Sequence, residues 1–122
     1  MWWANGATVS GNVEAGVYLD GGHKPGAKLI TTGSVAQATI NVVQFGEITD
    51  TVLTPNLYWL YISCSTTSAT FFRSQVSGNA NDELLRLQQA SIGPGSAPAT
   101  ATPVESGSLN LYLFGFSTTT IT

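Results

Sequence analysis

Turn signals punctuate this chain at short intervals. They are Asn5-Gly6, Ser10-Gly11, Gly21-Gly22, Pro25-Gly26, Pro55-Asn56, Ser77-Gly78 and Gly93-Pro94-Gly95. Glycine supplies the positive φ of tight turns, proline pre-sets a turn's second position, and asparagine tolerates left-handed backbone. Between the signals lie short runs rich in Val, Ile, Thr and aromatic residues, which suit a pleated and half-buried surface. Such punctuation predicts an antiparallel two-sheet β-sandwich, jelly-roll-like, of roughly seven to nine strands with at most one short helix. The chain's 122 residues suffice for one such domain, residues 1–122, with its own core.

Alternation assigns the strands. Val13, Ala15, Val17 and Leu19 alternate with Asn12, Glu14, Gly16 and Tyr18, which predicts a strand with one buried face. Further strands are expected at Lys28 to Thr32, Ala38 to Ile48, Leu57 to Cys64, Thr70 to Arg73 and Leu109 to Ser117. In the Leu57–Cys64 run, Tyr58, Leu60, Ile62 and Cys64 share one face and Leu57, Trp59, Tyr61 and Ser63 the other. The final run is apolar on both faces, with Leu109, Leu111 and Leu113 opposite Tyr112, Phe114 and Phe116. Asp82 to Ala90, with three leucines among Glu, Arg and Gln, reads as the one short helix. Residues 93–106 read as an extended surface loop. Two tryptophans directly after Met1 are unusual at the start of a domain, so Trp2 and Trp3 are expected in a first strand of a chain excised from a longer protein.

Charge narrows the function. Only 9% of residues are charged, and the net charge is −3 with four basic residues. Four scattered cations form no basic stripe, which argues against nucleic acid. No apolar run reaches the roughly 20 residues that span a bilayer, and no signal peptide is visible. A surface built mostly of uncharged polar groups opposes self-association weakly. Cys64 is the only cysteine, so no intrachain disulfide can form; on an apolar strand face it reads as an inert, buried core thiol.

Catalytic constellations are not visible. His23 sits in Gly-Gly-His-Lys-Pro-Gly without a ligand-spacing motif; it reads as a solvated loop residue, or else as a contact to a ligand or neighbouring chain. The acids Glu14, Asp20, Glu47, Asp50, Asp82, Glu83 and Glu105 show no paired arrangement of the glycosidase kind. No catalytic residue, metal or cofactor is expected. The aromatic residues opposite the core face, Trp59, Tyr61 and Tyr18, could stack on sugar rings, bury against another subunit, or lie under the 93–106 loop. Subunit contact or loop cover outweighs sugar stacking. With His23, Tyr112, Phe114 and Phe116 they form the set of binding or interface candidates.

Two runs carry a family resemblance. Trp2-Trp3-Ala4-Asn5-Gly6-Ala7-Thr8-Val9-Ser10-Gly11-Asn12-Val13-Glu14-Ala15-Gly16-Val17-Tyr18 resembles the opening of β-sandwich modules in bacteriophage tail-fibre and virion-structural proteins. The run Ile48-Thr49-Asp50-Thr51-Val52-Leu53-Thr54-Pro55-Asn56-Leu57-Tyr58-Trp59-Leu60 does so too. In those modules a Gly-x-Tyr strand is followed by a loop, a Thr-Gly-Ser turn (here Thr32-Gly33-Ser34) and an Asp-Thr-x-Leu-x-Pro-x-x-Tyr element. Asn56 stands here where a glycine is common. The resemblance implies no catalytic residues. It implies an extracellular virion setting in a phage tail, assembly with copies of itself (as a trimer), and attachment to a host cell-surface glycan or protein. The alternatives are a carbohydrate-binding module of a bacterial enzyme or adhesin, and a capsid decoration protein.

Overall fold

A computed structural model describes residues 1–75, 87–88, 93–105 and 110–117, and within them the chain is an all-β sandwich. The strands are β1 (Trp2–Ala4), β2 (Asn12–Asp20), β3 (Pro25–Thr31), β4 (Val35–Ala36), β5 (Val43–Phe45), β6 (Tyr58–Cys64), β7 (Arg73–Gln75), β8 (Leu87–Gln88), β9 (Val104–Glu105), β10 (Asn110–Tyr112) and β11 (Phe114–Gly115). No helix is long and apolar enough to cross a membrane among the described residues.

The first sheet is built on β2. Strand β6 pairs along one side of it, and β3 and then β4 pair along the other, all antiparallel. Strands β3 and β4 are one run interrupted at the Thr-Gly-Ser turn, where Gly33 takes φ 63°. The ladder is bridged there by Thr32, whose amide donates to Ala15 O while its hydroxyl accepts from Ala15 N. The second sheet places β1 between β5 and β11, so the two ends of the described chain lie side by side. Ribbon β7–β10 adjoins it through the Asn5–Phe71 bridge.

The core lies between the sheets. Fully buried Trp3 packs with Val13, Ala15, Val17 and Ile30, and Ile62, Cys64, Phe71 and Phe114 close around them. Burying side chains of this size stabilises by about 1.5–3 kcal/mol each. One polar cluster sits beside this core. Buried Asn5 donates to Thr39 O and Gln44 Oε1 and accepts from Gln37 Nε2, while Gln37 Oε1 accepts from Ser10 N. Asn5, read from sequence as a turn residue, is thus the hub that ties β1 to the stretch preceding β5.

Several expectations are corrected. Strand β2 is buried on both faces from Val13 to Tyr18, not on one. The expected Leu109–Ser117 strand divides at Leu113, which accepts from Ala4 N and donates to Phe72 O as the chain leaves β7 for β1; Leu109 lies outside the described residues. Within the expected helix, Leu87–Gln88 is a strand paired with β9, because cross-strand pairing overrides a local helical pattern. Its other positions, 82–86 and 89–90, lie outside the described residues. The Ala38–Ile48 strand shrinks to Val43–Phe45, and the 93–106 loop contains β9. Cys64 packs against the core but is half-buried rather than buried, since β6 has no strand beyond it among the described residues.

Each sheet also seats an aromatic ring over a cross-strand glycine. Tyr61 lies opposite Gly16 and Trp2 opposite Gly115. A Cβ at Gly16 would stand 2.4 Å from the Tyr61 ring and 2.3 Å from Ile30 O, a backbone atom that cannot swing aside. Gly16→Ala is therefore expected to destabilise by at least about 1–3 kcal/mol, the usual cost of overpacking, visible as a lower urea midpoint. An unchanged midpoint would show that Tyr61 does not occupy this position.

Candidate functional site

The outer face of the first sheet carries Glu14, Gly16 and Tyr18 from β2 and their partners Ser63, Tyr61 and Trp59 from β6. Glu14 is a carboxylate only 1% exposed. An unpaired ion in such a place costs several kcal/mol, so every lone pair matters. Its Oε1 accepts from the Thr31 and Tyr61 hydroxyls, and its Oε2 accepts from Gly95 N at 2.7 Å. Burial pushes this carboxyl up, but these hydrogen bonds and nearby Lys28 outweigh burial and hold it below the usual carboxylate range.

Gly95 belongs to a strap, residues 93–100, drawn across this face. Its turn is fixed by Gly95 at φ 84° and by Ser96 N donating to Gly93 O. Lys28 N donates to Ala99 O, Lys28 Nζ to Ala97 O, and the Tyr18 hydroxyl to Pro98 O at 2.7 Å. Tyr18 and Tyr61 meet beneath it as a tilted ring pair, 5.0 Å between centroids. Of the three roles open to the aromatic face, cover by the chain itself is the one seen at Tyr18, which is buried and so is not a free interface residue.

Beyond the strap the face opens. Trp59 Nε1 donates to Asp20 Oδ1 at 2.8 Å, and Asp20 Oδ2 accepts from Gly22 N and His23 N. The Trp59 bond is the main reason that the Asp20 carboxyl lies below its usual range. Asp20, His23, Leu57, Tyr58, Trp59 and Leu60 line a shallow cavity of about 370 Å³. His23 is exposed at the tip of its loop with φ 62°. Trp59, Tyr61 and Tyr18 are thus neighbours, and Trp59 is joined by His23. Asp20 was not singled out from sequence, although its position two residues past Tyr18 on the same strand face was a usable signal.

The remaining candidates lie on β10, on β11 and just past it, and do not meet these. Phe114 packs on the core and is half-buried. Tyr112 meets Phe71 edge-on at 6.0 Å and is 42% exposed, as is Phe116. Around β1 the outward positions are Trp2 and its partner Phe45, with Val43 opposite Ala4. Phe72 and Leu113 border Ala4 through backbone hydrogen bonds. Val43, Phe45, Phe72 and Leu113 are 48%, 43%, 48% and 53% exposed. This apolar group was missed from sequence because only the pairing register brings 2, 43–45, 72 and 113 together. Among the described residues no three of His, Cys, Asp and Glu converge as a metal site requires.

The clamp on Glu14 makes stability depend on pH in a stated direction. A folded carboxyl held below its unfolded value adds stability above about pH 4 that is lost as pH falls through the folded pKa. Tyr61 and Tyr18 are raised, chiefly by burial, so the unfolded state gains above about pH 10, where its tyrosines ionise. Glu14→Gln presents an amide donor to either Gly95 N–H or the two hydroxyls. It is expected to cost about 1–3 kcal/mol at pH 7 and to flatten the acid limb of the stability–pH curve. An acid limb identical to the wild type would place the titration elsewhere.

No protein-family model, no curated protein and no solved structure matches this chain.

Proposed function

We propose that this chain is a non-enzymatic structural and receptor-binding domain of a bacteriophage virion, of the tail-fibre or tail-tip kind. It assembles with copies of itself, as a trimer, and presents its loops to a host surface. The observation that carries the assembly part is the apolar outer face around β1, formed by Trp2, Val43, Phe45, Phe72 and Leu113. Exposed apolar groups gathered in one place are uncommon on a solitary soluble domain and common where subunits meet. A second copy is the fitting occupant, because the group has no charge to be desolvated and the chain as a whole carries few. The phage setting rests on the resemblance of the two sequence runs described above.

The absence of catalysis is supported by how the acids are used. Glu14 is sealed by the strap and engaged by neutral donors, and Asp20 accepts from the Trp59 indole and from two amides of its own loop. Among the described residues no second carboxylate acts on either, whereas hydrolysis of a glycosidic bond requires a pair. The rival reading, a carbohydrate-binding module of a bacterial enzyme or adhesin, draws on the Trp59 cavity. A capsid decoration protein would use the β1 face alone.

Sedimentation velocity tests assembly. The wild type is expected to sediment as an oligomer at high concentration, and Phe45→Ser with Leu113→Ser to shift it to monomer with an unchanged β-sheet spectrum. An interface hot spot loses more than about 2 kcal/mol on truncation, enough for a clear shift. A wild type that stays monomeric throughout would contradict self-assembly by this domain.

A further inference from the structure

We propose that the cavity at the Asp20–Trp59 end of the first sheet binds a neutral saccharide. This deepens the receptor-binding part of the reading above and is independent of the assembly part. Strand register brings the groups together. Asp20 follows Tyr18 on one face of β2, Trp59 stands opposite Tyr18, and Asp20 N donates to Leu57 O. The loop after β2 then returns His23 to the same place, held by the Asp20 carboxylate.

The chemistry of this lining selects the ligand. Leu57, 66% exposed, and the Trp59 indole offer an apolar surface of the kind that the C–H face of a pyranose covers. Asp20 is ionised and already fixed in place by three N–H donors, yet each carboxylate oxygen can accept further bonds from ligand hydroxyls. The His23 imidazole can both donate and accept. A preformed acceptor beside an aromatic and an aliphatic side chain matches an amphipathic polyol and little else. An acidic sugar would meet the Asp20 charge, a lipid chain would strand it, and a metal would find too few ligands. At about 370 Å³ the cavity lies at the small end of small-molecule sites, which run from about 300 to 1,000 Å³. That suits one or two sugar residues at the end of a longer glycan. The strap stops short of this cavity, having its bonds to Glu14, Tyr18 and Lys28.

The test uses the full chain. A glycan array selects a neutral oligosaccharide, and calorimetry plus a 1H–15N titration measure it as a free, monovalent ligand. The shifts are expected at the Trp59 indole and the backbone amides from Asp20 to Lys24. Trp59→Ala should weaken binding about tenfold, the usual scale of one aromatic contact, with sedimentation unchanged. Because Trp59 also supports the sheet, His23→Gly serves as a second variant: glycine accepts the left-handed backbone, so the fold is kept and affinity falls about threefold. The site is overturned if no neutral glycan binds at millimolar concentration, or if acidic or amine-bearing glycans bind instead. It is also overturned if both variants keep wild-type affinity. A glycan whose shifts map elsewhere would refute this site but leave receptor binding standing. Absence of all binding in a protein that still assembles would leave only the structural role.

Discussion

A carboxylate buried without a cation in hydrogen-bond contact governs how this sandwich closes. Glu14 lies near the start of β2, the central strand of the first sheet, and ionised burial there is tolerable only if neutral donors surround it. They come from three separate places in the chain: Thr31 on β3, Tyr61 on β6 and the Gly95 amide of the strap. The first two lie within the sheet. The third is distant in sequence and obliges residues 93–100 to cross the outer face. Tyr18 and Lys28 then add their own bonds to the strap, so the clamp is shared rather than single.

That closure decides which surfaces remain for function. A sandwich sheet ordinarily offers an outer face to solvent, but here most of the first sheet's outer face is used by the chain itself. Among the described residues, what stays open is the end of β2 and β6 past the strap, where Asp20 and Trp59 meet, and the outer face around β1. The two are chemically unlike. The first combines a fixed carboxylate with an indole, and the second is apolar throughout. The proposed saccharide suits the first and the proposed second copy the second, so the two proposals fall on different sheets.

Much of this was legible in the residues. The period-two run of β2, the facing of β6 and the turns at Gly11 and Gly95 follow from side-chain alternation and from the backbone needs of glycine. Tyr58, Ile62 and Cys64 pack toward the core and Trp59 and Tyr61 away from it, as the alternation requires. The failures share a cause. Glu14 looked like a solvent-facing polar position because nothing local announces that a segment some 80 residues later will cover it. The double burial of β2, the role of Asn5 and the apolar group of 2, 43–45, 72 and 113 depend likewise on long-range pairing. Leu87 and Gln88 show the converse: a helical leucine pattern yields to a partner strand at 104–105.

Native-state hydrogen exchange of the Gly95 amide tests the closure most directly. If Glu14 anchors the strap, that amide is protected at neutral pH although Gly95 itself is exposed to solvent, and its protection disappears in Glu14→Ala, which leaves Gly95 no side-chain acceptor, while the amides of β2 bonded to β6 remain slow. Exchange of the Gly95 amide at the rate of an unstructured peptide in the wild type at neutral pH would contradict the account, since the outer face of the first sheet would then stand open.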